Sequence, residues 1–409
     1  MLQSRWAMLV VVFLTRTSMG FMFQSVASVA PFLIAQFELS YGQLGFLVGL
    51  FLLPGAVISL PGGLLGQRFG SRRVAVGGLV LMIAGALVTA WSTTFLEASA
   101  GRAVSGAGGI LLNLLLAKMV ADWFTGKEIS TAMGVMLASW PIGIGLGLTT
   151  LGSVATHWSW RASMLVSAAT AAVGLVLLVT LYRDPPELDA AAQGRSTLRL
   201  DLPLRAWALS VTVGLCWTAL NAAFIVVASF GPALLIARGA SVAQAGSLLS
   251  LGIWVSLVSI PLGGYLADRI QRPNLVISVG ALGAAVAIGL LPVLPYPVLW
   301  FVLAGTLLGL APGAIMALLP SALDPKHLAT GLGALYTVFY LGMALAQPAA
   351  GLTRDHSGSA AAPIFIAAVL MAATVPALAL FRWTERLGAR RSAAGPHHGM
   401  SSAPGSRRR

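Results

Sequence analysis

Residues 63–73 read GLLGQRFGSRR and residues 264–272 read GYLADRIQR. The two stretches begin 201 positions apart, and each joins one apolar run of about twenty residues to the next. Both run Gly, two apolar residues, a small residue, a polar residue, Arg, an apolar residue, then further Arg. A repeat at this offset divides the chain into two similar halves.

Composition sets the class of protein to which these halves belong. Hydrophobic residues make up 57% of the chain and charged residues 9%, against about 25% charged in a soluble globular chain. So few charges cannot cover a water-soluble protein of 409 residues. The chain reads as an all-α polytopic membrane protein, because its apolar segments are long enough to span a bilayer as helices. The alternating ten-residue segments of a membrane barrel are absent. Cys216 is the single cysteine, so there is neither a disulfide framework nor a thiolate metal site. Internal repeats of helical bundles are the usual trace of a secondary transporter.

Twelve transmembrane helices in two six-helix halves are expected, at roughly 6–35, 43–65, 74–93, 98–120, 130–150 and 161–182, then 206–232, 242–263, 274–293, 298–319, 329–352 and 361–381. Residues 1–182 form the first half and 206–381 the second. The polar, proline-containing stretch 183–205 reads as the linker between them. The Gly, Ser, Ala and Arg residues of 382–409 read as a disordered basic tail. Basic residues crowd the loops on one side, among them Arg5, Arg68, Arg72, Arg73, Lys118, Lys127 and the tail arginines, whereas the other side carries Arg161, Arg238 and Arg354. By the positive-inside rule both termini are cytoplasmic. The net charge of +13 follows this loop pattern and does not mark a nucleic-acid partner. The first span is not a signal peptide, since Arg16 interrupts its apolar core and the run continues beyond any h-region.

Arg16 lies ten residues past Trp6, about 15 Å into the membrane at 1.5 Å per residue. A guanidinium at that depth costs at least about 3 kcal/mol and is by default a functional group. It stays protonated, and its fork matches a carboxylate. The alternative is an arginine that caps helix-end carbonyls or snorkels to the interface. All twelve acidic residues fall in loops, at membrane edges or in the linker, and no His falls in mid-span. Arg16 therefore has no anionic partner of the protein's own, and a substrate anion can take that place. Weaker cavity candidates are Gln24 on the first helix, Asn113 on the fourth, Trp217 and Asn221 on the seventh, and Tyr336 and Tyr340 on the eleventh. For the aromatic residues, packing between helices or interface anchoring competes with substrate contact.

With twelve spans, a central linker and the two loop motifs, the chain resembles the major facilitator superfamily up to about Arg382. That family carries Gly-x-Leu-Ala-Asp-Arg-x-Gly-Arg-Arg between helices 2 and 3 and again between 8 and 9. The second copy here matches at Gly264, Leu266, Ala267, Asp268, Arg269 and Arg272. The first matches at Gly63, Leu65, Arg68, Phe69, Gly70, Arg72 and Arg73, with Gln67 in place of the acid. The resemblance implies a latch on the cytoplasmic side, here Arg68, Asp268 and Arg269. Gln67 leaves its first-half acid without charge. Arg102, Gly106 and Gly108 match the family's Arg-x-x-x-Gly-x-Gly on helix 4. Arg102 either gates and steers anions at the outer vestibule or hydrogen-bonds helix ends.

In the family, helices 1, 4, 7 and 10 line the cavity, and organic-anion and cyanate-type branches place an Arg on helix 1. The resemblance thus implies a small-anion carrier working by alternating access, with Arg16 as the anion-binding group. A proton is a candidate co-substrate, brought by the substrate itself. The protein is expected as a monomer in a cell (inner) membrane. The rival reading is a multidrug or metabolite exporter of the same fold, disfavoured by the absence of the Gly-Pro-x-x-Gly-Gly element on helix 5. A non-transporting nutrient sensor would need a signalling domain beyond the short tail. No phosphate-binding loop, metal-ligand cluster or buried nucleophile with a base marks an enzyme, and no cofactor is expected.

Overall fold

An apolar run of this length can satisfy its backbone in lipid only as a helix or as part of a closed barrel. The structure, a computed structural model, describes residues 4–59, 61–124, 128–185 and 202–393, with 62–64, 67, 129–131, 325, 326, 329 and 388–393 described by backbone alone. Among the described residues there is no strand, and twelve helices are long and apolar enough to cross a membrane. In chain order these are α1 Arg5–Ser28, α2 Tyr41–Ile58, α3 Ser71–Trp91, α4 Phe95–Phe124, α5 Ala132–His157 and α6 Trp160–Thr180 in the first half. The second half holds α7 Leu204–Ala237, α8 Val242–Ile270, α9 Pro273–Leu290, α10 Pro297–Ala322, α11 Thr330–Ser357 and α12 Ala362–Leu387.

Two departures from the expected boundaries follow from proline. After α1 a short helix, Ala30–Phe37, resumes beyond Val29 with Pro31 in its first turn, where the missing N–H does no harm. α2 breaks at 51–54, ahead of and including Pro54. Phe51 then donates to Val48 and Gly49, so the Leu47 carbonyl loses its helical donor. α11 runs five residues past its expected end, to Ser357, which draws Arg354 and Asp355 into its last turn. The twelfth helix continues to Ala393, so residues 382–393 are helical where a disordered tail was expected; 394–409 lie outside the described residues. Of the expected linker, 186–201 also lie outside them, and Leu204 already begins α7.

The halves meet along two seams, α2 against α11 and α5 against α8, and each seam closes on glycine. A Cβ added at Gly45 would lie 2.2 Å from the Gln347 carbonyl oxygen, and one at Gly246 would lie 2.1 Å from that of Leu148. Small residues let helices approach closely in lipid, where dispersion and hydrogen bonds replace the hydrophobic drive. Both seams lie in the half of the bundle remote from the loop motifs and the chain termini. We call that remote side the far end and the opposite side the terminal end. The three ion pairs among the described residues, Arg5–Glu128, Lys118–Asp122 and Arg382–Glu385, each stay within one half.

Candidate substrate site

Arg16 and Arg102 are the buried charged side chains among the described residues, 6% and 2% exposed. They do different things. Arg102 on α4 donates to the carbonyls of Leu47 (3.2 Å), Met22 (3.1 Å) and Phe23 (3.0 Å) and lies 4.8 Å over the Phe51 ring. One of those carbonyls is the oxygen left free by the break in α2. Arg102 thus ties α1, α2 and α4 together inside the first half. Each of its three nitrogens donates to a backbone carbonyl of the first half, the arrangement expected of an arginine that hydrogen-bonds helix ends.

Arg16 on α1 is held differently. Its Nη1 donates to the carbonyls of Met136 (3.0 Å) and Leu137 (3.2 Å) and to Ser139 Oγ (3.1 Å), all on α5. Pro141 lies inside α5, and its missing N–H leaves the Leu137 carbonyl without its i+4 donor. Arg16 fills that place. It can reach because α1 and α5 touch backbone to backbone: a Cβ at Gly143 would sit 2.3 Å from the Thr17 carbonyl oxygen. Nε of Arg16 donates to Asn113 Oδ1 on α4 at 2.9 Å. Nη2 makes no hydrogen bond among the described residues. Every partner of Arg16 is neutral, so among the described residues its charge is left uncompensated.

The site then crosses to the second half. Asn113 Nδ2 donates to Tyr340 Oη on α11 at 3.1 Å. The Tyr340 ring packs on Gly55 at the end of α2, where a Cβ would come within 2.4 Å of it. An aromatic run continues along α11: Tyr340 stacks on Tyr336 (6.2 Å between centroids) and meets Phe339 edge-on (5.0 Å), and Phe339 lies 6.2 Å from Trp217 on α7. A guanidinium, a carboxamide and two phenols thus stand beside a wall of rings.

Of the expected site residues, Arg16, Asn113, Tyr340 and Tyr336 come together, and Trp217 joins through Phe339. Gln24 and Asn221 do not join. Gln24 is fully buried where α1 meets α7, its Nε2 donating to the Ala228 carbonyl at 3.2 Å. Two turns on one helix carried it past the site and into the far-end contact between halves. Asn221 turns back on its own helix, donating to the Trp217 carbonyl at 2.9 Å. Ser139 and Phe339 were missed. Pro141, two residues after Ser139, was the available signal, because a mid-helix proline frees a carbonyl that a nearby donor will seek.

The expected latch is not made in this state. Arg68 is exposed and stacks on its neighbour Phe69, Arg269 donates to Tyr265 four residues back, and Asp268 is exposed with its backbone carbonyl accepting from Gln271. Among the described residues no hydrogen bond, ion pair or ring contact joins the halves on the terminal side of the Asn113–Tyr340 bond. The bonds that do join them, Gln24 to Ala228 and Asp355 to Tyr41 and Gly42, lie at the far end.

Comparison with known proteins agrees with this architecture. The chain is 27% identical over 341 residues to the 3-(3-hydroxy-phenyl)propionate transporter of Escherichia coli, covering 81% of this chain and 82% of that one. It is 25% identical over 381 residues to the 2-nitroimidazole transporter of the same organism, covering 90% and 93%. It is 22% identical over 254 residues to the hexuronate transporter of Bacillus subtilis, where the match covers 59% of this chain and only 60% of that one. The inward open xylose transporter XylE from E. coli superposes with a TM-score of 0.75 at 16% identity, over 95% of this chain and 100% of that one. The family model of the Major Facilitator Superfamily matches residues 12–234 and again 206–406. Two matches to one model, twelve spans in two repeated halves and a polar site between them lead to one conclusion: this multi-pass membrane protein belongs to the major facilitator superfamily, as a transporter of a small organic substrate and not an enzyme.

Proposed function

We propose that the substrate is a small organic anion, bound through its carboxylate by Arg16 and carried by alternating access. The observation that carries this reading is the buried Arg16, which has only neutral partners and an unengaged Nη2. A buried cation without a counter-ion is strongly unfavourable, and a carboxylate approaching Nη2 relieves it. Asn113 and the Tyr340 hydroxyl offer further polar contacts, and the rings of Tyr336, Phe339 and Trp217 suit an apolar or aromatic body. The names of two relatives, carriers of a hydroxyphenylpropionate and of a hexuronate, support a carboxylate. No acid or His is buried among the described residues, which supports a facilitator, an exchanger or a symporter whose substrate brings its own proton. The basic terminal end is the cytoplasmic one by the positive-inside rule. The protein works as a monomer in the cell (inner) membrane, and Arg68, Asp268 and Arg269 close the cytoplasmic end in the opposite state.

The rival reading is an exporter of the same fold for a drug or metabolite without a carboxylate, and the name of the 2-nitroimidazole relative supports a substrate of that kind. Thermal stabilisation of the purified protein decides between the two, using arylpropionates, hexuronates and their uncharged amides, with wild type beside Arg16→Ala. The expected result is stabilisation of the wild type by at least one carboxylate, absent with its amide and absent in Arg16→Ala. Stabilisation by neutral compounds alone, or an equal response in Arg16→Ala, overturns the anion reading.

A further inference from the structure

The two seams are built from the same repeat, yet among the described residues only one carries a charged fastening. Ser40 and Gln43 begin α2, and Ser241 and Gln244 begin α8, each pair 201 positions from its counterpart. Both form a capping box: Gln43 N–H donates to Ser40 Oγ (3.1 Å) and Ser40 N–H to Gln43 Oε1 (2.9 Å), and the matching bonds on α8 are 3.2 and 3.0 Å. A capping box leaves the N–H groups of the first two helical residues without a partner. On α8 these are Val242 and Ala243, and no described residue accepts from them. On α2 they are Tyr41 and Gly42, and both donate across the seam to one carboxylate, Tyr41 to Asp355 Oδ1 and Gly42 to Oδ2, each at 2.7 Å. Beside it, the Arg354 guanidinium lies 3.6 Å over the Tyr41 ring.

The partner helices match as closely. Gly351 of α11 abuts Tyr41, and Gly152 of α5 abuts Val242; Gln347 abuts Gly45, and Leu148 abuts Gly246. Both pairings set α11 and α5 in register 199 positions apart, which places Thr156 where α11 has Asp355. The Thr156 hydroxyl turns back to the Gly152 carbonyl of its own helix at 2.9 Å.

We propose that Asp355 is an electrostatic latch of the far end, acting on the N-terminus of α2 and holding the halves together in the state seen here. It carries a full negative charge to the positive end of a helix dipole that belongs to the other half, and both of its bonds are charge-assisted. These bonds must break each time the far end opens. The inference rests on the alternating-access reading but not on the substrate being an anion.

The test reads opening directly. In the full-length protein with Cys216 replaced by Ser, the single reporter Ala344→Cys sits in the α2–α11 seam, where the Ala344 carbonyl oxygen lies 2.3 Å from a Cβ placed at Gly49. The rate of reporter labelling by a polar maleimide in detergent measures how often the seam opens. The expected result is labelling about fivefold faster with Asp355→Asn and faster still with Asp355→Ala, at unchanged yield of folded protein. Thr156→Asp, which offers α8 the missing acceptor, is expected to slow labelling in the otherwise unaltered reporter protein. Asp355→Asn keeps the size of the side chain and stays informative if Asp355→Ala fails to fold. Labelling unchanged in both Asp355→Asn and Thr156→Asp overturns the latch. Because no substrate is added, failure of the anion reading leaves this result intact.

Discussion

The α2–α11 seam and the α5–α8 seam share glycine contacts, a capped helix start and matching positions in the repeat, but they differ in what they do besides packing. The first is tied at its outer edge by Asp355 and at its inner edge by Tyr340, which packs on Gly55 and bonds to the Arg16 partner Asn113. Among the described residues the second has only helix packing, with Trp254 lying against Gly145 at its inner edge. Packing that is near-identical in both seams supplies closeness, and the polar additions to one of them connect closure to the site. The halves are thus alike in architecture and unequal in control.

The largest effects are expected where the seams are the same. Gly45→Val and Gly246→Val each push a side chain into a facing carbonyl. Overpacking of this kind costs about 1–3 kcal/mol, and both variants should lose more than tenfold in uptake by proteoliposomes. If only the Gly45 variant loses transport, the seams are not mechanically equivalent and the comparison fails at its base.

Next come the groups that link the site to one seam. Arg16→Lys keeps the charge but cannot hold Asn113, two carbonyls and Ser139 at once, and it should weaken anion binding at least tenfold by thermal shift or calorimetry. Tyr340→Phe removes one neutral hydrogen bond, worth about 1 kcal/mol. It should lower anion affinity about fivefold while leaving the melting temperature almost unchanged. A loss as large as that of Arg16→Lys would move Tyr340 from the rim of the site into its centre.

The smallest effect sharpens the contrast at the helix starts. Removing an N-cap costs about 1 kcal/mol. Ser241→Ala leaves α8 with no side-chain cap, whereas Ser40→Ala leaves α2 with Asp355 still in place. A greater fall in melting temperature for Ser241→Ala is expected; equal falls would show that Asp355 adds nothing to the cap of α2.

Much of the frame was legible before any coordinates. The twelve spans, their division into halves and the isolation of Arg16 follow from composition and from where charge is missing, because lipid penalises every exposed backbone dipole and every unpaired charge regardless of tertiary detail. Asn113 was legible as a polar residue on a cavity helix, and Tyr336 and Tyr340 as aromatic residues four apart on the eleventh helix. Their connection to Arg16 was not, since it depends on rotation of α4 and α11 about their axes. Gln24 shows the limit. Helical spacing places it on the Arg16 side of α1, but that face meets different neighbours two turns further on.

Arg102 shows the same limit from the other side. By itself the sequence determined that two arginines lie in apolar spans, and lipid alone makes both notable. Only the tertiary structure decided that Arg102 closes on three carbonyls of its own half while Arg16 is left with a free nitrogen. The reason is physical. A break in one helix and a proline in another each expose a carbonyl, and which guanidinium is consumed by such acceptors depends on how close the helices come. Asp355 is the clearest case: in the sequence it is an acid near a span end, and it becomes a latch only because α11 brings it to the first two N–H groups of a helix in the other half.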